Sequence, residues 1–229
     1  MNKILTYILC LSIAVISAEG IIVDGNLDEP EWEDAYIIDE YYEAVPYTLK
    51  TPDVKTVTRI ISNEEGIYIG FTNFQDNASM LSNKSMRDEI PNNAEQNGVA
   101  IDFDGDGLKA YMFFATLANI QGDGVRPLGG WPEFDWDGDW DVKMKKYDGY
   151  WVSEFLIPWN VVLMKNVDTP YREINITTFR YLTTTQAWLN DTKTSGFRTD
   201  FLSNLRKIKV GNYTKRKMAT LCGGNGNER

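Results

Sequence analysis

The sequence predicts an all-β protein: an antiparallel β-sandwich, immunoglobulin-like or jelly-roll-like, with short peripheral helices. Three observations predict it. Apolar side chains recur at every second position in several stretches, Gly and Asp turns of a few residues separate those stretches, and long runs with helical periodicity are few.

The first hairpin lies in "VKTVTRII" and "IYIGFTNF", where Ile67, Ile69 and Phe71 share one face and "SNEEG" supplies the turn at Gly66. The pattern returns at "GVAIDF", with Val99, Ile101 and Phe103 alternating, then "DGDG" and the strand "LKAYMFFATL". A third hairpin carries Trp140, Val142 and Met144 outward, turns at Asp148 and Gly149, and brings back Trp151, Ser153, Phe155 and Ile157. "EINITTFRYL" supplies a further strand. Between Asp76 and Gln96 the text is polar and irregular, which predicts a long loop with one helical turn. Near the start, Asp28 stands three residues before Glu31, with Pro30 in what would be the first turn. That spacing predicts a capped short helix, anchored by Leu27 and Trp32.

Domain organisation follows from the ends. Residues 1–18 read as a cleaved secretory signal: Lys3, an apolar run from Ile4 to Ile16, then Ser17 and Ala18. That run is too short for a spanning helix, so no transmembrane segment is expected in the mature chain, and a secreted or periplasmic location is. Tyr7, Ile8 and Leu9 before Cys10 do not form a lipid-attachment pattern. Residues 19–210 are expected to form one sandwich, and residues 211–229, basic and then glycine-rich, a flexible tail.

Composition removes several function classes. Of 229 residues, 33 are acidic and 23 basic, and loss of Lys3 with the signal leaves 22 basic residues. Such an acidic chain is a poor nucleic-acid ligand. There is no histidine at all, which excludes Ser-His-Asp and Cys-His catalysis, His-ligated zinc and His-ligated haem. With Cys10 in the signal, Cys222 has no intrachain partner.

Carboxylates and aromatics remain. In "DFDGDG", Asp102, Asp104 and Asp106 alternate as in the first half of a calcium loop, although Phe113 stands at the twelfth position where a bidentate Glu belongs. Structural calcium on those three is therefore one expectation, and a turn of solvated aspartates the other; no cofactor is required. "GGWPEFDWDGDWD" gathers tryptophans among aspartates, and rings beside polar groups suit the apolar faces and hydroxyls of sugars. Trp131, Trp136 and Trp188 are the candidate stacking residues, with Arg87, Asp88 and Arg180 for polar contacts. Trp140, alternating with Val142 and Met144, is expected in the core. A catalytic pair is not identifiable from spacing. The residues for a glycosidase reading would be Glu154, in an apolar strand that could raise its pKa and beside which Arg180 could pair, and Asp102.

Several segments also fall in the order of a known pattern. "VDGNLDEPEWEDA", with Asp24, Gly25, Leu27, Asp28, Glu29, Trp32 and Ala35 in place, resembles the opening of the family 9 carbohydrate-binding modules and their relatives. "GIYIGF", "VAIDFDGDGLKAYMFFATLANIQGD", "WDGDW" and "GYWVSEFLIPW" are similar to the segments that follow. Gln96 and Asn97 depart from it, standing where relatives commonly carry an acid. The resemblance implies an antiparallel sandwich, a location outside the cytoplasm, binding of a polysaccharide or oligosaccharide such as xylan or cellulose, and structural calcium in some members. It also implies kinship with domains that precede outer-membrane barrels, hence an envelope protein partner as a rival reading. Non-catalytic glycan binding in support of carbohydrate catabolism is the first reading, and hydrolysis of O-glycosyl bonds by the same chain another.

Overall fold

The computed structural model describes residues 20–88 and 92–213. The signal expected over 1–18, both cysteines and the tail from residue 214 lie outside the described residues. Within them, two antiparallel sheets pack face to face. One sheet has the order β1-β3-β4-β9-β8, from Tyr36–Ile38 (β1), Thr56–Ser62 (β3), Gly66–Phe74 (β4), Asp141–Tyr147 (β8) and Tyr150–Pro158 (β9). The other has the order β2-β11-β10-β5-β6-β7, from Tyr42–Val45 (β2), Gln96–Asp102 (β5), Lys109–Thr116 (β6), Gln121–Pro127 (β7), Tyr171–Leu182 (β10) and Ala187–Asn190 (β11). Arg206–Gly211 (β12) pairs with the first half of β10. No helix of the described residues is long and apolar enough to cross a membrane.

The alternating faces meet as the pattern requires. Ile67, Ile69 and Phe71 from β4 and Phe155 and Ile157 from β9 are fully buried against Val99, Ile101, Phe113, Ile174 and Ile176 of the opposite sheet. Trp140 and Met144 belong to this core as expected, Trp140 stacking on Phe155 at 5.7 Å between centroids. Gly149 takes a left-handed φ of 79° in the β8–β9 turn. Gly66 has another reason to be glycine: it begins β4 rather than making the turn, and a Cβ there would strike the Ile157 carbonyl. The turn itself is held by Asn63, whose Oδ1 accepts from the amides of Glu65 (2.8 Å) and Gly66 (3.3 Å).

The amino-terminal segment covers the outer face of the first sheet. Trp32 and Ile21 pack on Tyr68 and Leu156, and Leu27 fills the space left by Gly70, where a Cβ would lie 2.5 Å from Leu27 Cδ2. This second small core is why β4 and β9 are buried on both sides. The expected capping box of Asp28 and Glu31 does not form. Pro30–Asp34 is a 3₁₀ turn preceded by Glu29, with no side-chain cap, because its i→i+3 bond from the Trp32 amide closes on the Glu29 carbonyl. Asp28 therefore lies one residue too early. Glu29 ties the segment instead, accepting from the Ile22 amide at 3.0 Å and the Trp32 indole at 3.1 Å. Truncation of Trp32 to alanine should lower the unfolding free energy by about 3–5 kcal/mol, read from urea denaturation followed by circular dichroism.

Candidate functional site: an aromatic groove on the second sheet

The outer face of the second sheet is apolar too, and the amino-terminal segment does not reach it. Along β6 the inward residues Phe113 and Ala115 alternate with outward Ala110, Met112 and Phe114. β10 contributes Phe179 and β11 contributes Trp188. Gly98 lies opposite Phe179 in the register, and a Cβ at Gly98 would strike the Phe179 ring, so this glycine lets the ring lie flat across β5. Phe114, Phe179 and Trp188 then form a continuous aromatic floor, with centroids 5.2 and 5.8 Å apart.

Two loops raise the walls over this floor. After β7 the chain doubles back, and Val125 and Glu133 exchange two backbone hydrogen bonds of 2.8 Å. Gly124 permits the approach: its Cβ would lie 2.5 Å from the Glu133 carbonyl and 3.0 Å from the Phe134 ring. Trp131 and Phe134 are thereby held over the sheet edge. The opposite wall is Phe197 and Phe201, fixed by Arg126. The Arg126 guanidinium donates to the carbonyls of Gly196 and Arg198 and lies 4.4 Å from the Phe201 ring centroid. Burial lowers its pKa below the ordinary arginine value. Trp131 and Phe197 meet edge to face at 5.8 Å and remain 63% and 62% exposed. The groove bounded by these rings and the aromatic floor has a volume of about 290 Å³, and Asn190, Arg126 and the Trp188 indole stand among its otherwise apolar lining.

Of the sequence-predicted residues, Trp131 and Trp188 line this one groove. Trp136 does not: it packs edge-on against Tyr111 (4.9 Å) and Phe113 (5.8 Å) at the margin of the inter-sheet core. Arg180 is fully buried between the sheets, because it has the same parity on β10 as Ile174, Ile176 and Leu182. It donates to Thr56 Oγ1 (3.0 Å) and Gln75 Oε1 (2.5 Å) and lies over the Trp151 ring, and desolvation lowers its pKa to about 10. No sugar hydroxyl can reach it there. Arg87 and Asp88 sit beside Asp123, on the face of β7 opposite the groove.

Asp102 is buried and committed to its own turn. It accepts from the amides of Asp104 (3.2 Å), Gly105 (2.9 Å) and Gly107 (2.7 Å) and from Asn175 Nδ2 (2.9 Å). Asp104 accepts from the Lys165 amide at 2.8 Å, and Asp106 pairs with the Lys165 ammonium, which lowers its pKa. These three carboxylates organise a β5–β6 turn whose Gly105 and Gly107 have φ of 67° and 73°. Asn97, one of the two residues that depart from the family pattern, bridges the sheets: its Oδ1 accepts from Asn73 Nδ2 (2.8 Å) and Ser153 Oγ (2.7 Å).

Glu154 is likewise structural. It lies on the outer face of β9 beneath the amino-terminal segment, where its Oε2 accepts from the amides of Asp24 and Gly25, both at 2.9 Å, and Arg180 is not its partner. Asp102 lies on the other sheet, so the two do not flank a cleft as a glycosidase pair must.

No protein-family model and no curated protein matches the sequence. Solved structures do share the fold. A family 9 carbohydrate-binding module of Caldicellulosiruptor kristjanssonii bound to glucose superposes with a TM-score of 0.57 at 13% identity, over 84% of this chain and 93% of that one. The same organism's module bound to cellotriose gives 0.53 at 12%, over 84% and 90%. A Bacteroides uniformis protein described as a candidate carbohydrate-binding protein gives 0.59 at 11%, over 77% and 87%. The chain thus has the family-9-like antiparallel sandwich fold.

Glu154 carries a pH signature. Burial pushes its pKa up to about 7, outweighing the two amides, which act to lower it. The folded chain therefore holds this proton more tightly than the unfolded chain, whose carboxyl titrates near 4.5. Its contribution to stability is fully present below about pH 4.5 and is lost as pH rises to about 7. The thermal midpoint of Glu154→Gln should fall less than that of the parent between those two pH values, as measured by calorimetry in matched buffers.

Proposed function

We propose that this protein binds a saccharide in the groove of the second sheet, without chemical turnover. The observation that carries the reading is the exposed Trp131–Phe197 platform above the Phe114–Phe179–Trp188 floor. A pyranose ring has an apolar face of C–H bonds and a rim of hydroxyls. Rings that stay in water at a cost in hydration, on loops pinned by Arg126 and by the Val125–Glu133 bridge, form a preorganised surface for such a face. Asn190, whose Nδ2 donates to the Thr194 carbonyl at 3.0 Å, and Trp188 are the polar-bearing residues beside the aromatic floor. The fold supports the same reading, since neighbours that share it hold glucose or cellotriose.

Binding rather than hydrolysis is favoured because Glu154 and Asp102 are already engaged by amides of their own chain. A glucan or xylan segment is the ligand class proposed, taken up outside the cytoplasm, with export resting on the leader-like residues 1–18.

Isothermal titration with cellulose- and xylan-derived oligosaccharides tests the proposal, and an absence of heat with every member of that panel would sink it. Trp131→Ala should weaken binding about tenfold or more, the ~1.4 kcal/mol of one lost ring contact, while moving the thermal midpoint by no more than about 2 °C.

A further inference from the structure

We propose that the groove takes a saccharide carrying an aryl substituent, with the substituent seated among the floor rings and the sugar lying on the Trp131–Phe197 platform. The inference rests on the saccharide reading above and narrows its ligand class.

The groove has two tiers. Trp131, Phe134 and Phe197 at its rim are more than half exposed, whereas Phe114, Phe179 and Phe201 are buried deeper in it. Ring faces and edges therefore bound the volume of about 290 Å³. Phe134 meets Phe114 at 6.2 Å between centroids, Phe114 meets Phe179 at 5.2 Å, and Phe179 meets Trp188 at 5.8 Å. Met112 adds a thioether to the same lining, a group that packs well against ring edges.

The polar groups of the lining are few and turned toward the protein itself. Arg126 is 3% exposed, and its guanidinium donates to the Gly196 and Arg198 carbonyls while lying against the Phe201 ring. Asn190 is 4% exposed, and its Nδ2 donates to the Thr194 carbonyl at 3.0 Å. No acidic residue lines the groove. Trp188 brings one N–H, enough for a single acceptor.

A pyranose carries a hydroxyl on most of its ring carbons. Lying on the exposed rim it keeps those hydroxyls in water, but among the floor rings it would lose their hydration with almost nothing in return. Water in the recess is served no better, since a buried water typically makes about three hydrogen bonds. A planar apolar ring suits the space: it meets faces and edges at the spacing of roughly 4.5–7 Å that aromatic pairs prefer, and it displaces poorly bonded water. An alkyl chain would fill the volume without those directional contacts, so the aryl group is favoured.

The test is calorimetric titration of the purified protein with phenyl β-cellobioside, methyl β-cellobioside and phenol. The phenyl glycoside should bind about tenfold tighter than the methyl glycoside, with a more negative heat-capacity change, and at least about tenfold tighter than phenol. Phe134→Ala, at an exposed position, should shrink the ratio between the two glycosides to about threefold or less. Nuclear Overhauser contacts from the phenyl protons to the Met112 methyl group, expected in the parent protein, locate the ring without any substitution. Equal affinities for the two glycosides overturn this inference and leave the saccharide reading standing. An absence of heat with both removes the reading and the inference together. Phenol binding as tightly as its glycoside overturns the inference, because the sugar then adds nothing. So does a ratio unchanged in Phe134→Ala with no contact to Met112, which places the ring outside the groove.

Discussion

The register of β10 is the constraint from which most of the molecule follows. This strand pairs with β5 along one edge and with β11 and β12 along the other, and its side chains are buried on both faces. Its period-two alternation sends Ile174, Ile176, Thr178, Arg180 and Leu182 between the sheets and Phe179 outward to the groove. A slip of one residue would exchange those sets, putting a guanidinium on the floor of the groove and a phenylalanine against Thr56 and Gln75. The slip is opposed by both faces at once. Thr178 Oγ1 meets the Tyr41 hydroxyl at 2.7 Å on the inside, while the Phe179 ring needs the bare backbone of Gly98 on the outside.

Both sheets of this sandwich are apolar on two faces, and the two solve the exposure problem differently. On the first sheet the amino-terminal segment supplies Ile21, Leu27 and Trp32 as a cover, and Glu154 anchors that cover through the amides of Asp24 and Gly25. On the second sheet the loops at Trp131 and Phe197 rise around the apolar floor and leave a groove between them. The acids of the opening segment therefore serve scaffolding, Asp28 and Glu31 less than Glu29. Between the sheets one end of the core is polar: Arg180 with Gln75, and Asn73 with Asn97 and Ser153, are joined through Trp151, and a sugar-contact role for Arg180 is incompatible with its place there.

Strands with clean alternation, β3 to β6 and β8 to β10, were legible in the sequence because one face of each is apolar and the turns carry Gly, Asp or Asn. β1, β2 and β11 have only three or four residues, too few for a period to show. β7 contains Gly122, Gly124 and Pro127 and so lacks a strand's side-chain pattern, although Gly124 is there to admit the returning loop. The groove was half legible. Trp131 stood out beside Gly130 and Pro132, and Trp188 as an isolated ring, whereas Phe114 and Phe179 were hidden inside strands. The available signal was the unbroken apolar run "AYMFFA", since a strand with a solvated outer face has no use for Met112 and Phe114 together with Phe113. The same parity would have turned Arg180 inward, and Trp136 could be told from Trp131 only by the chain's path after Pro132.

Seven tryptophans allow the central claim, saccharide stacking in the groove, to be read site by site. The most direct measurement is a titration of cellotriose into protein labelled with nitrogen-15 at its tryptophan indoles, with each N–H resonance assigned by substitution. The account predicts saturable shifts at Trp131 and Trp188, with Trp140, Trp151 and Trp159 unmoved in the core. Shifts confined to the core tryptophans or to Trp32, or a spectrum unchanged at millimolar sugar when xylotriose is equally silent, would contradict it.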